Sequence, residues 1–263
     1  MSTTTYAIRD SATMLRRQLK HLSRNLSLIL LLLAVPIIFL LVFVFVLGDT
    51  LGNGLGGGSG GRSAYANYVA PGILLITITG AVQGTAIGVA MDMTEGIIAR
   101  FRTMAIARVS VLTGHVLGSM LMTLAQLAVV VGVALLVGFR PTASAVEWLA
   151  TLGLLAVTTF ALVWFTVALG LSAKSVEVAS NTPMPLMLLP FFGSAFVPTD
   201  SMPTGLRLFA EHQPFTPIME TLRGLLLGTA IGASGWVALG WCAVIALVGY
   251  LWSKRLYNRD RTR

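Results

Sequence analysis

Two apolar runs, about 66–90 and 110–137, are each long enough to cross a bilayer, for which about 20 apolar residues suffice. Between them lies the polar, basic stretch Met91–Arg108, MDMTEGIIARFRTMAIAR. This pattern reads as a hairpin of two membrane spans with a structured tip. At 100° per residue, Ile97, Ile98, Phe101, Met104 and Ala105 fall on one side, and Arg100, Arg102 and Thr103 fall on the others. The spacing predicts a short amphipathic helix. A loop that only connects would need no apolar face. Periodicity leaves two readings open: a docking element for a partner outside the membrane, or a helix lying in the headgroup layer.

The composition agrees with a membrane chain. Of 263 residues 56% are hydrophobic and 11% charged, with mean hydropathy +0.84. A soluble domain carries about 25% charged residues. Too little polar surface is present to cover a water-soluble globule. The net charge is +8, but the basic residues cluster beside apolar runs, which points to membrane topology rather than to nucleic acid. Cys242 is the single cysteine and falls in an apolar run, so it reads as a small buried or lipid-facing residue, with no intrachain disulfide. The first apolar run is about as long as a full span and no A-x-A site follows it, so no signal peptide is expected.

In chain order, residues 1–25 are expected to form a cytoplasmic arm. From Ser11 to Asn25 the row Leu15, Leu19, Leu22, continued by Leu26, lies on one face and Arg16, Arg17, Lys20 and Arg24 elsewhere, which reads as an interfacial helix facing anionic headgroups or, alternatively, as a solvated basic tail. A six-span domain follows at 26–252, then a basic tail at 253–263. The spans are expected at about 26–47, kinked at Pro36, then 65–90, 110–137, 147–171, 178–197 and 233–252. The stretch 48–63 reads as a flexible Gly/Ser loop. Tyr65 and Tyr68 are expected to be interfacial aromatics, and the row Gly80, Gly84, Gly88 to admit a neighbouring helix closely. Pro183, Pro185 and Pro190 should break the fifth span. Residues 198–232 are too polar for an ordinary span and too apolar for a free loop, so they read as short helices dipping into the outer membrane face. Six spans put both ends on one side. That side carries fourteen Lys and Arg against four on the other, which places both termini and the Met91–Arg108 tip in the cytoplasm.

Several motif matches lack their chemistry. Gly56–Ser63 reads GGGSGGRS, with Arg62 where a phosphate-binding loop needs Lys and no strand before it. Gly57–Gly61 satisfies G-x-S-x-G without a strand–turn–helix context. Gly232-Ala233-Ser234-Gly235 fits the short signature of an intramembrane serine protease, but the last histidine, His212, precedes the serine. His21, His115 and His212 are scattered, and no metal site is expected; His115, near a span end, reads as a polar packing residue. Within the spans Thr77, Thr79, Thr85, Gln83, Gln126 and Asn181 are the polar residues. Thr77, Thr79, Gln83 and Asn181 are candidates for a substrate path, each also able to make an interhelical hydrogen bond. No full charge sits at mid-span, which argues against an ion channel and for an apolar or amphiphilic cargo.

These features resemble the membrane subunit of the second class of ABC exporters. Asp92 and Glu95-Gly96-Ile97-Ile98, then Arg100-Phe101-Arg102 and Ala107-Arg108, look like the coupling-helix segment of the daunorubicin-resistance permease group. Phe196-Val197-Pro198 through Ser201-Met202-Pro203, then His212-Gln213-Pro214, Thr216-Pro217 and Leu222-Arg223-Gly224, look like its outer re-entrant segment. The likeness covers nearly the whole chain. One departure is Ala105, where the group commonly has a proline.

The resemblance implies an all-α integral membrane fold with six transmembrane helices, a coupling helix between spans 2 and 3, and re-entrant helices between spans 5 and 6. It implies a multi-pass protein of the cell membrane that pairs with a second permease, identical or not. Two copies of an ABC ATP-binding subunit carry ATP and Mg, with no cofactor on this chain. Asp92, Glu95, Gly96, Arg100, Phe101, Arg102, Met104 and Arg108 are the implied ATPase-coupling residues, with Phe101 and Met104 filling an apolar pocket on the partner. Pro198, Pro203, Pro214, Pro217, Glu220 and Arg223 belong to the implied re-entrant segment. The implied role is export of a hydrophobic or amphiphilic, drug-like substrate. Export of a cell-envelope lipid or glycolipid, an intramembrane serine protease and a non-transporting scaffold are the alternatives.

Overall fold

The computed structural model describes residues 26–52, 61–96 and 108–258. The N-terminal arm, the loop 53–60, the tail 259–263 and the coupling candidates Arg100, Phe101, Arg102 and Met104 lie outside the described residues.

All regular structure among the described residues is helical. The Leu-rich helix α1 (Leu26–Leu41) contains Pro36 and continues into one π-helical turn, Val42–Val46, closed by Leu47 N–H donating to Val42 O at 3.3 Å. A short helix α2 (Gly48–Gly52) follows, where sequence reading expects free loop. Asp49 on it pairs with Arg62 at 2.9 Å, joining the two sides of the glycine-rich segment.

Helix α3 (Gly61–Thr94) is the axis of the molecule, contacted by most other elements. It is 34 residues long, about 50 Å at 1.5 Å per residue, and overruns the expected 65–90 at both ends. Helix α4 (Arg108–Val137) runs back beside it. Helix α5 (Ala145–Ser172) begins at a capping box in which Glu147 N–H donates to Ser144 Oγ while Ser144 N–H donates to the Glu147 carboxylate.

The predicted fifth span is broken, as its prolines require. It forms α6 (Val176–Asn181), α7 (Met184–Leu188), a 3-10 turn at Leu189–Phe192, and then the buried non-helical residues Gly193–Phe196. Two further helices, α8 (Thr204–His212) and α9 (Phe215–Leu227), precede the last long helix α10 (Ser234–Asn258). Helix α10 continues past residue 252 into the expected basic tail, where Ser253 is buried and its Oγ donates to Trp164 O at 3.4 Å.

Among the described residues four helices are long and apolar enough to cross a membrane: Gly61–Thr94, Leu112–Val137, Ala145–Ser172 and Ser234–Tyr257; Leu30–Val46 is a shorter apolar stretch. Helices α5 and α10 pack side by side and run parallel, with Thr158 beside Cys242 and Trp164 edge-on to Tyr250. Their backbones touch at Gly249, where a Cβ would lie 2.5 Å from Phe165 N. Helices α3 and α5 approach at Gly170, where a Cβ would lie 2.7 Å from Ala86 O.

The expected glycine row does not mediate these approaches. A Cβ at Gly80 would meet nothing within 4 Å, and one at Gly84 would only touch the tip of Leu32 at 3.4 Å. A four-residue spacing sets a face of α3, but the residue opposite decides how near two helices come. The close approaches of α3 to α5 and of α5 to α10 lie at Gly170 and Gly249 instead.

Candidate functional site

The bundle has two polar ends. One is the tip of the α3–α4 hairpin. Helix α3 carries Met91–Thr94 as its last turn, so the first residues of the predicted coupling helix belong to the span. Glu95 N–H donates to Met91 O at 2.9 Å, and Gly96 N–H to Met93 O at 3.3 Å. Gly96 then adopts φ +69°, the left-handed conformation with which glycine ends helices. Glu95 is exposed and Arg108 opens α4. The helix that carries Met91–Thr94 therefore ends at this turn.

Asp92 differs from its neighbours in direction. Its side chain turns into the bundle and meets His115 Nε2 on α4 at 2.9 Å, with the two residues 8% and 4% exposed. This pair ties the two stems of the hairpin together beneath its tip. The packing role expected for His115 is thus a specific one, and the spacing of 23 residues hides it in sequence.

Of the in-span polar residues, Gln83 reaches another element: its Nε2 donates to Ser180 O at 2.6 Å. Thr85 Oγ1 donates to Ser119 Oγ on α4 at 2.8 Å. Thr77 and Thr79 return their hydroxyls to carbonyls of their own helix, Ile73 O and Ile76 O. Asn181 is exposed at the end of α6, next in sequence to the Ser180 carbonyl that Gln83 meets.

The opposite end is built around Gly193–Phe196. Tyr68 Oη donates to Ser194 O at 3.1 Å and Tyr65 Oη to Phe196 O at 3.4 Å. Neither tyrosine is an interfacial aromatic in this chain: Tyr65 is fully buried and Tyr68 half-buried, because α3 is surrounded at this level. Pro71 lacks an N–H and so opens the α3 ladder here. Beside it Gly72 lets the buried turn Gly193–Phe196 pass, since a Cβ there would lie 2.7 Å from Ala195 Cβ.

Arg223 on α9 closes this end. Its Nη2 donates to Ser194 O at 2.8 Å and to Tyr68 O at 3.4 Å, and its guanidinium lies 4.1 Å from the Tyr68 ring centroid. One cation thus joins α3, α9 and the segment between them, with cation–π attraction added. Of the other predicted re-entrant residues, Pro214 and Pro217 stand at the start of α9, while Pro198 and Pro203 precede a 3-10 turn and α8. Exposed Arg207 bonds Glu211 and Asp200 at 2.7 and 2.9 Å, and the Glu211 hydrogen bond raises its pKa.

Glu220 accepts a hydrogen bond from Ser234 Oγ at 2.8 Å. His212 Nδ1 meets Leu208 O on its own helix instead. Beside the Glu220–Ser234 pair an apolar groove of about 440 Å³ opens between α5, α9 and α10, floored by Leu154, Val157 and Leu225 and edged by Trp236.

Membrane-length helices, a hairpin with a polar tip and a folded-in segment at the far end define a membrane-embedded helical protein. The profile of the ABC-2 type transporter family matches residues 10–227, and the chain belongs to that family. It is 29% identical over 188 residues to the daunorubicin resistance ABC transporter permease protein DrrB1 of Streptomyces coeruleorubidus, covering 69% of this chain and 66% of that relative. It is 25% identical over 187 residues to the probable doxorubicin resistance ABC transporter permease protein DrrC of Mycobacterium tuberculosis, covering 67% of each. The chain thus spans about two thirds of the length of the curated relatives it matches.

Proposed function

We propose that this chain is the membrane-spanning permease subunit of an ATP-driven ABC exporter. It moves a hydrophobic or amphiphilic, drug-like substrate out of the cell and is powered by a separate ATP-binding chain. The observation that carries this reading is the α3–α4 hairpin in an ABC-2 type chain: Glu95 is exposed where α3 ends, and the two stems are joined by Asp92 and His115.

In this reading the chain crosses the membrane six times, through α1 with its π turn, α3, α4, α5, the broken run 176–196, and α10. Residues 26 and 258 both lie toward the hairpin end, since Leu32 touches Gly84 and Ser253 touches Trp164. That agrees with both termini in the cytoplasm, as does the bias of fourteen Lys and Arg to four. Glu95, Gly96, Arg100, Phe101, Arg102, Met104 and Arg108 dock on the ATPase, while Asp92 anchors the docking segment from within. Two permeases pair and engage two ATP-binding subunits, which hold ATP and Mg. Thr77, Thr79, Gln83 and Asn181 belong to the substrate path. A drug-like cargo is supported by the names of the relatives, both permeases of drug resistance.

Co-expression with a candidate ATP-binding subunit tests this directly. Co-purification and an ATPase rate that rises with added hydrophobic drug are expected. A chain that never associates with a nucleotide hydrolase overturns the reading. Export of a cell-envelope lipid is a second reading, favoured by the apolar groove between α5, α9 and α10. Comparing drug tolerance with envelope lipid composition after gene deletion separates the two. The serine protease alternative calls for a histidine beside Ser234, whose hydroxyl donates to Glu220, and a Ser234→Ala variant with unchanged activity disposes of it.

A further inference from the structure

We propose that the interface between α3 and α4 is a hydration site, in which a file of bound water runs from His115 to Gln126. The inference rests on the membrane-spanning reading of α3 and α4. Helix α4 carries His115, Ser119, Thr123 and Gln126, which are 4%, 8%, 1% and 6% exposed. At about 100° per residue they lie within an arc of about 80°. Two contacts aim this arc at α3: His115 meets Asp92 at 2.9 Å, and Ser119 accepts from Thr85 at 2.8 Å. Gln126 falls between His115 and Ser119 in angle, so it lies on the same side of α4. From His115 to Gln126 the helix rises about 16 Å at 1.5 Å per residue, about half of a hydrocarbon core of about 30 Å.

Protein partners run out along this row. His115 Nδ1, Thr123 Oγ1 and Gln126 Oε1 are buried and have no hydrogen-bond partner among the described residues. The polar side chains that α3 offers at that depth are already bonded, Thr77 to Ile73 O, Thr79 to Ile76 O and Gln83 to Ser180 O. A bare amide or hydroxyl in an apolar interior is costly, and leucine at each position would pack without that cost. Buried water ordinarily answers such groups, with about three hydrogen bonds to each water. Successive members of the row stand about one turn apart, about 5.4 Å, a gap that one water spans with two hydrogen bonds of about 2.8 Å. Burial this deep between two packed helices leaves no room for a larger ligand. The same water supplies a partner to His115 Nδ1, the ring nitrogen that Asp92 does not meet.

Water-edited solid-state NMR of the full chain in lipid bilayers tests the site without ATP, partner or transport. It reads the magnetisation that passes from water to individual groups. Its failure therefore leaves the exporter reading untouched, and failure of the exporter reading leaves the hydration result standing. At short mixing times water should transfer to the Gln126 side-chain amide, to Thr123 and to the His115 ring. The amides of Ala161–Val163 on α5, equally buried but in an apolar setting, should receive no such transfer. The double variant Thr123→Val/Gln126→Leu, close in shape, removes the groups that hold the water, so transfer to Ser119 should be lost. Thr123→Val alone, which should weaken that transfer, serves should the double variant fail to fold. A Gln126 side chain as dry as Ala161–Val163, or transfer to Ser119 undiminished in a folded variant, overturns the proposal.

Discussion

Asp92 is a carboxylate in a stretch that reads as solvent-facing, yet its side chain is directed inward to His115. A buried polar group left without its partner costs about 1–3 kcal/mol. His115→Ala should therefore lower stability by about that amount, read as the shift in thermal unfolding of the detergent-solubilised protein. Asp92→Ala should not add fully to it in the double variant, since one shared bond is lost only once. Arg223 poses the same question at the other end. Arg223→Met keeps much of the apolar stem but releases Ser194 O and Tyr68 O. Hydrogen exchange at Ser194–Phe196 should rise while the Met91–Gly96 amides stay unchanged; equal protection in both proteins would show that Arg223 does not hold the segment. Such roles are poorly legible in a chain read alone. Tyr65 and Tyr68 look like interfacial aromatics by position, and only the packing around α3 turns them into donors to a buried loop.

At the scale of elements, the long apolar helices and the proline-broken run stand close to where hydrophobic length and proline chemistry put them. Contacts between helices do not follow from spacing within one of them. Gly80→Ala should be tolerated and should raise helix stability by about 0.5–1 kcal/mol, the ordinary gain over glycine, because no atom stands within 4 Å of the new methyl. Gly249→Val should push α10 off α5, where backbone atoms of Trp164 and Phe165 lie within 2.8 Å of the built Cβ. Its cost should be at least the 1–3 kcal/mol, roughly, of an overpacked core. Thermal unfolding of the two variants side by side checks both. The hairpin turn shows the same division: a polar interruption between spans is evident in sequence, but its first turn is the end of α3, set by the left-handed backbone at Gly96.

For the whole molecule, the proposed coupling predicts separable defects. Reversing charge at Arg100 and Arg102 should abolish export while leaving membrane insertion intact, measured by drug efflux from cells with equal amounts of membrane-inserted protein. Persistent export would remove these residues from the docking surface. Orientation can be read with single cysteines placed at Glu95 and Asp200 in a Cys242→Ala background; Cys242 is buried between α5 and α10. A reagent confined to the exterior should label position 200 and spare position 95.

Hydropathy along the chain was enough to settle that this is a helical membrane protein and where its long helices lie, because burying about 20 residues in lipid is a local demand that each run meets or fails by itself. Motif spacing was enough to suggest its family. The inward turn of Asp92, the clamp of Arg223 over Gly193–Phe196 and the glycines at which helices touch were decided by the tertiary structure alone. Each joins residues between 23 and 155 positions apart, and such a pairing exists only once packing has chosen which faces meet.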